Sequence, residues 1–331
     1  MSKNIYLPLI IAVIAAAGLG YYVGRLTGKE KGKETVIAEK QHELKELRES
    51  GYKFISPLLE CQDLAPSNRA GMIVLEKKLK DFISEVKAEK RATHVSVYFR
   101  DLSNGPWIGI NENEPYSPAS LLKVPIMIAA LKKAESSSGF LDKRIKYSSH
   151  TTDTTNPNIL DSLIKTGNSY TVENLIYRTI AFSDNEAKNL LLENIDAQTI
   201  DRVYSDLGID IPGVRTPQDF MSVKDYSSFF RLLYNATYLD KKMSEKGLEF
   251  LSKSTYTKGL AGKLPKEVVV AHKFGERGFA DSNTKQLHDC GIIYKEGKPY
   301  ILCVMTRGDD FDELATVIAD ASALIYSEYG K

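Results

Sequence analysis

The chain has 331 residues, 43% of them hydrophobic and 26% charged, which is enough apolar material to build a sizeable core. Its 44 basic and 43 acidic residues leave a net charge of +1, and it carries no glycine-rich phosphate loop, so nucleic acid and nucleotides are excluded as partners. The three cysteines, Cys61, Cys290 and Cys303, have no zinc spacing and form no disulfide framework, and the sequence asks for neither a metal nor a cofactor.

Residues 5–23 form a run of 19 uncharged, mostly apolar residues, just long enough to cross a bilayer as a helix. Ala15, Ala16 and Ala17 offer a small-residue cleavage site, but the apolar run continues past them through Leu19, Tyr21 and Tyr22, so an uncleaved single-pass anchor is expected rather than a signal peptide. Arg25, Lys29, Lys31 and Lys33 follow it, and the positive-inside tendency would keep that flank in the cytoplasm. Residues 28–51 are rich in Lys and Glu. With only Ile37, Leu44 and Leu47 in heptad-like positions, they read as a solvated helical spacer. The chain thus divides into a membrane segment over 1–27, the spacer, and one folded domain over 52–331.

Within that domain, residues 75–86 have helical periodicity, and 92–102 alternate as a strand that turns at Asn104-Gly105 into a second strand. Helices are expected from Ser120, over 171–182, 185–195 and 222–234. Strands are expected over 267–274, 289–294 and 299–305. Phe311, Leu314, Ile318, Ala321 and Ile325 give the last helix one apolar face. Strands at both ends with helices between them predict one antiparallel sheet built from distant segments and a second, helical lobe. The cleft between the two is the natural place for a site. If Lys295–Lys298 is a hairpin turn, Cys290 faces Cys303 across it. The pair is then either two free, buried, small apolar residues or a cross-strand disulfide outside the cell, and the free pair, the commoner state, is expected.

Three short motifs carry chemistry. Ser-x-x-Lys occurs five times, beginning at Ser50, Ser84, Ser120, Ser162 and Ser282, and is uninformative alone. Ser120 differs because the stretch that follows it is apolar nearly all round, the mark of a buried helix, and Lys123 lies on the same face one turn later. Burial disfavours a charged ammonium, and a lysine amine that sheds its proton beside a hydroxyl is a general base, while the helix N-terminus favours an oxyanion. The bland reading is a capping serine and a snorkelling lysine. Ser183-Asp184-Asn185 falls where one helix ends and the next begins; Ser183 and Glu186 fit a capping box, which leaves the asparagine unexplained. Lys273, at a strand end before Gly275 and Gly278, fits either a site cation or a lysine guarding a sheet edge.

The three motifs appear in this order over residues 90–331, and the combination resembles the class A β-lactamases and penicillin-binding proteins, whose motif set is well documented. The resemblance implies an α/β (α+β) two-lobed fold, with a five-stranded antiparallel sheet flanked by helices and an all-helical lobe. It implies that Ser120 becomes acylated, that Lys123 assists proton transfer, that Ser183 passes a proton to the leaving nitrogen and that Asn185 bonds the substrate amide. Lys273 would place positive charge near a substrate carboxylate, and the backbone N–H groups of Ser120 and Glu276 would form the oxyanion hole. The implied partner is a small-molecule β-lactam or a D-Ala-terminated peptidoglycan peptide. The implied place is the outer side of a bacterial membrane, which outweighs the basic flank; the protein would be secreted if the N-terminus is cleaved.

Two departures stand out. Phe274 replaces the Thr or Ser of the family's Lys-Thr-Gly motif, a hydroxyl that helps hold the substrate carboxylate, with Arg277 as a substitute. The glutamate that activates the deacylating water in class A enzymes also has no counterpart between Gly208 and Tyr226; Asp206, Asp210 and Asp219 are nearby, but none has that glutamate's sequence context. The expected function is therefore a serine hydrolase that forms an acyl-enzyme with β-lactams. The alternatives are a D-alanyl-D-alanine peptidase and a non-catalytic sensor retaining the fold. A Ser-His-Asp hydrolase is set aside, because no Gly-x-Ser-x-Gly elbow occurs and His272, on the strand face opposite Lys273, is expected to pack.

Overall fold

The computed structural model describes residues 43–64, 69–103, 105–148, 163–279 and 282–330. The apolar segment at 5–23 and most of the spacer lie outside the described residues. Among the described residues, no helix is long and apolar enough to cross a membrane.

The expected five-stranded sheet is present. Strands β3 (His94–Asp101), β4 (Trp107–Ile110), β7 (Val270–Gly278), β8 (Lys285–Ile293) and β9 (Tyr300–Gly308) pair antiparallel in the order β4-β3-β9-β8-β7. Both faces of the sheet are buried, and the central strand β9 is accordingly apolar without a break from Tyr300 to Met305. Along β9, Tyr300, Leu302 and Val304 face helices α1 (Arg69–Ala88) and α8 (Phe311–Glu328), while Ile301, Cys303 and Met305 face the helical lobe. Helix α1 meets the sheet through Leu75, Leu79, Ile83 and Val86, and α8 through Leu314, Val317, Ile318, Ala321 and Ile325, all at helical spacing.

The helical lobe begins with a 3-10 turn, Ala119–Leu122, that runs directly into α2 (Lys123–Ser136). Residues Lys123 to Leu131 of α2 are all buried, as its apolar circumference requires. Two short strands, β5 (Arg144–Lys146) and β6 (Ser169–Thr171), precede α3 (Val172–Ala181), α4 (Asn185–Leu192), α5 (Ala197–Ser205), α6 (Val223–Asn235) and α7 (Lys241–Leu251). Thr171, Asp184, Asp196, Ser222 and Asp240 cap α3 to α7, each accepting backbone N–H bonds from the first turn.

Three expectations need correction. Residues Glu43–Arg48 form a strand, β1, paired with β2 (Leu58–Leu64), rather than the end of a helical spacer. Leu44 and Leu47 are too few to drive a helix, and the pairing is non-local. The segment that follows β1 is tied to the helical lobe, with Glu245 on α7 accepting the backbone N–H groups of Lys53, Phe54 and Ile55. Strand β7 runs through Gly275 to Gly278, so Lys273 sits within it rather than at its end. Cys290 does face Cys303 as the hairpin register requires, but the two are joined as a disulfide instead of lying free.

Candidate active site

The site is assembled where three elements converge: the Ser120 turn, the junction of α3 and α4, and the edge strand β7. Pro118 closes the turn by accepting the Leu121 N–H at 2.9 Å. Ala119, one residue before the serine, is held at φ 48°, a left-handed conformation that is uncommon for a side-chain-bearing residue. Two side chains from β8 clamp the backbone just upstream. Gln286 Oε1 accepts the Ser117 N–H at 2.9 Å, and His288 Nε2 lies 3.1 Å from the Ser117 carbonyl. Burial pushes His288 down to about 3, so the ring is neutral and its Nε2–H donates to that carbonyl. Tyr226 on α6 holds the other side of the turn, donating to the Leu121 carbonyl at 2.9 Å. These three clamps were not read from the sequence, because they join residues more than 100 positions apart.

Gly275 lets β7 come up against this turn. A Cβ there would stand 2.8 Å from the Pro118 carbonyl oxygen and 3.1 Å from Leu121 N. The backbone of the sheet edge and that of the serine turn are therefore in direct contact, which puts the N–H-bearing residues Ser120 and Glu276 on facing elements.

Lys123 is the hub of the site. It is 2% exposed, and its Nζ lies 2.9 Å from Ser120 Oγ, 2.9 Å from the Ser183 carbonyl, 3.0 Å from Ser183 Oγ and 2.7 Å from Asn185 Oδ1. Two of these partners, the carbonyl and the carboxamide oxygen, can only accept. The two hydroxyls can do either. The Lys123 amine is thus within proton-transfer distance of both serine hydroxyls. Asn185 Oδ1 is committed to Lys123, which leaves its NH₂ group as the donor available to a ligand.

Ser183 is fully buried and held at φ 55°. The capping-box reading of this segment is corrected: the cap of α4 is Asp184, whose Oδ1 accepts from Glu186 N at 2.9 Å and Ala187 N at 3.0 Å, while its Oδ2 accepts from Ile164 N at 3.0 Å. With Asp184 doing the capping, the Ser183 hydroxyl is free for the site. It bridges the two lysines, receiving Lys123 at 3.0 Å and Lys273 Nζ at 3.0 Å. Lys273 is wholly enclosed. Burial above all, and then the charge of Lys123, lower its pKa well below the ordinary lysine value, against the pull of Asp289 and Glu276.

On the far side of the turn lies a pocket of about 200 Å³, lined by Ala119, Leu122, Pro212, Thr216, Gln218 and Arg277 among others. Arg277 donates to Ser117 Oγ at 3.2 Å and faces the Gln218 carboxamide. The structure thus gathers Ser120, Lys123, Ser183, Asn185, Lys273 and Gly275 into one cluster, with Glu276 and Arg277 following along β7. The other Ser-x-x-Lys occurrences have no such company among the described residues: Ser84, for example, lies on the exposed side of α1 and bonds only the Lys80 carbonyl. His272 points away, as expected. Its Nδ1 is 2.8 Å from Asp289 Oδ1, and Asp289 Oδ2 accepts the Leu260 N–H, so this buried pair braces the sheet and has no serine beside it.

A sheet-and-helix lobe and a helical lobe, with a serine–lysine–serine–lysine chain at their junction, define the class as the class A β-lactamase-like serine enzymes. The chain belongs to the beta-lactamase enzyme family, whose sequence model matches residues 75–329. The carbapenem-hydrolyzing beta-lactamase KPC of Klebsiella oxytoca is 24% identical over 255 residues, covering 71% of this chain and 84% of that protein. The TLA-3 extended-spectrum beta-lactamase shares the fold with a TM-score of 0.69 at 21% identity, covering 77% of this chain and 100% of that one. A variant of PBP-A, solved as an acyl-enzyme complex with penicillin G, superposes with a TM-score of 0.64 at 17% identity, covering 78% of this chain and 96% of that one.

Proposed function

We propose that the protein is a serine hydrolase that forms an acyl-enzyme at Ser120 with β-lactams, and that it acts outside a bacterial membrane to which residues 5–23 anchor it. The observation that carries this reading is Lys123 Nζ, buried and within 3.0 Å of both Ser120 Oγ and Ser183 Oγ. Lys123 takes the Ser120 proton as the serine oxygen attacks the lactam carbonyl. Ser183, its oxygen held by two lysines, hands its own proton to the leaving nitrogen and is reprotonated from Lys123. Asn185 donates to the substrate amide, and the N–H groups of Ser120 and Glu276 receive the oxyanion. The Cys290–Cys303 disulfide supports the extracytoplasmic placement, because such bonds persist in oxidising compartments.

A second reading, a D-alanyl-D-alanine peptidase that β-lactams trap, is favoured by the state of the loop aspartates. Asp219 is held by Gln286 Nε2 at 3.1 Å and Arg307 Nη2 at 3.1 Å, and Asp206 accepts from Tyr238 OH at 3.1 Å. Asp210 is exposed. Two of the three are therefore committed elsewhere, which makes deacylation the weak half of the proposed cycle. The test of the main reading is incubation of the full chain with a fluorescent penicillin, followed by mass spectrometry of the labelled peptide. An adduct at Ser120 that disappears in Ser120→Ala is expected. An adduct persisting in Ser120→Ala, or none in the wild type, overturns it. For placement, protease added to intact spheroplasts should degrade residues 52–331; protection until lysis reverses the orientation.

A further inference from the structure

The pocket on the far side of the serine turn has no part in the acyl-enzyme chemistry. Its volume of about 200 Å³ lies below the roughly 300–1,000 Å³ of pockets for drug-sized ligands, so it suits a small occupant. Pro118, Ala119, Leu122, Pro217 and Phe220 give it apolar walls, and Ser117, Gln218 and Arg277 meet at its polar end. Ser120, Lys123, Ser183 and Asn185 do not line it. Arg277 stands four residues beyond Lys273 on β7, about 13 Å along an extended strand, so it serves a different place from the lysine cluster.

Arg277 is half-buried, and its partners among the described residues are all neutral. Its Nη1 donates to Ser117 Oγ at 3.2 Å, and the Phe279 ring lies 5.2 Å from the guanidinium. With the Gln218 amide turned to satisfy both groups, its oxygen accepts from Nη1 and Nε of Arg277 at 3.0 Å each, and from Nη2. Arg307 on β9 is handled differently: it pairs with Glu114 at 3.3 Å and with Asp219 at 3.1 Å. Asp219, next to Gln218 in the chain, thus bonds Arg307 and Gln286 rather than Arg277. A guanidinium stays charged in any protein, and drawing it out of water with no counter-charge is costly. One carboxamide oxygen collecting three N–H groups stands where the two oxygens of a carboxylate would make charge-assisted, bidentate bonds. Gln218 is exposed and lies on the connection between α5 and α6, so it can swing out without unpacking the core.

We propose that this pocket binds a small carboxylate with a compact apolar body, whose two oxygens take the place of the Gln218 carboxamide on Arg277. The apolar walls shelter the body, and the guanidinium supplies the charge that fixes its orientation. Pro118 and Ala119 belong both to the pocket wall and to the turn that carries Ser120, so the bound acid touches the backbone just before the nucleophile. The site is separate from acylation and does not depend on the reading of Ser120.

The experiment titrates the full chain by calorimetry, in micelles of an uncharged detergent and at constant ionic strength. Benzoate and N-acetylvaline are the carboxylates, and benzamide is the neutral control. The wild type is expected to bind a carboxylate with a Kd on the order of a millimolar, and benzamide about tenfold more weakly or less still. Tighter benzoate assigns the site to a free acid, and tighter N-acetylvaline assigns it to the end of a peptide. Arg277→Gln should weaken carboxylate binding about tenfold or more. Gln218→Glu should do the same, because a built-in carboxylate then occupies Arg277, whereas Gln218→Ala should bind at least as tightly as the wild type. No carboxylate binding, benzamide binding on a par with benzoate, or carboxylate binding unchanged in Gln218→Glu overturns the proposal. Gln218 is an exposed loop residue, so its two variants decide the matter even if Arg277→Gln fails to fold.

Discussion

Gly275→Ala is the smallest change that tests how the site is held together. The added Cβ would stand 2.8 Å from the Pro118 carbonyl oxygen, 3.1 Å from Leu121 N and 3.1 Å from Leu121 Cγ. Two of these atoms are backbone of the turn that carries Ser120, so no side-chain rotation relieves the clash. Restoring ordinary contact, about 3.5 Å, requires β7 and the turn to part by roughly half an ångström. Overpacking of this kind costs about 1–3 kcal/mol, or roughly 2–12 °C in melting temperature for a domain of this size class. The catalytic cost is separate. A misplacement of 1 Å can cost about 100-fold, so half of that predicts roughly a tenfold slower acylation. The assay is the rate of fluorescent-penicillin labelling together with a thermal melt. The control is Gly278→Ala, on the same strand, where an added Cβ meets nothing within 4 Å. A Gly275→Ala protein that labels and melts like the wild type, or a Gly278→Ala protein equally impaired, would refute the contact as the device that positions the serine.

Three further outcomes are expected. Turnover of a β-lactam should show a stoichiometric burst and then a slow steady phase, about 10²- to 10⁴-fold below what a positioned base allows; rapid turnover without a trapped adduct would show that another base serves. His288, at about 3 in the folded chain against an ordinary value near 6.5, keeps its stabilising contribution above pH 6.5 and loses it as pH falls toward 3, by about 1.4 kcal/mol per unit, so the wild type should lose melting temperature between pH 6.5 and 4 faster than His288→Gln. A parallel decline in the two proteins would remove His288 as the cause. Cys290→Ser should lower unfolding stability by about 2–4 kcal/mol, read by denaturant melts, whereas an unchanged midpoint, matched by reduced wild type, would mean that the bond closing this 13-residue separation does not restrain the unfolded chain.

Much of this was legible in the residues. The step pattern of Leu314, Ile318 and Ile325 gave the last helix, and the hairpin turn fixed the register that sets Cys290 opposite Cys303. Whether those sulfurs are joined is a chemical event that spacing does not encode. The order of the three motifs located the site, because each is a local signal. The non-local parts were not legible: the β1–β2 pairing, the clamps of Gln286, His288 and Tyr226 on the serine turn, and the length of β7 all depend on a partner far along the chain. The capping box failed for a sharper reason. Ser183 and Asp184 are both good caps, and sequence alone does not say which takes the left-handed position that turns its side chain away from the helix. Helices α5 and α7 were missed although Asp196 and Asp240 announce them, since short helices with broad polar faces leave little apolar periodicity to read.

In the proposed cycle, the two chemical steps rest on different kinds of structure. Acylation draws on Ser120, Lys123, Ser183 and Lys273, and the last three are buried groups fixed by the helical lobe and the sheet edge. Their contacts are part of the packing, so losing one would disturb the fold as well as the reaction. Deacylation needs a base against the outer face of the ester, and that base would come from the connection between α5 and α6. There Asp219 instead bonds Gln286 and Arg307, and Asp206 bonds Tyr238. These bonds tie down the loop and the turn behind Ser117 and commit two of its carboxylates elsewhere. On the proposed reading, the step enforced by the core is kept, the step that depends on a loop residue is the one that can be lost, and slow release of the acyl group is the expected outcome. This is the physical reason for expecting a trapped adduct from a chain whose acylating groups are all in place.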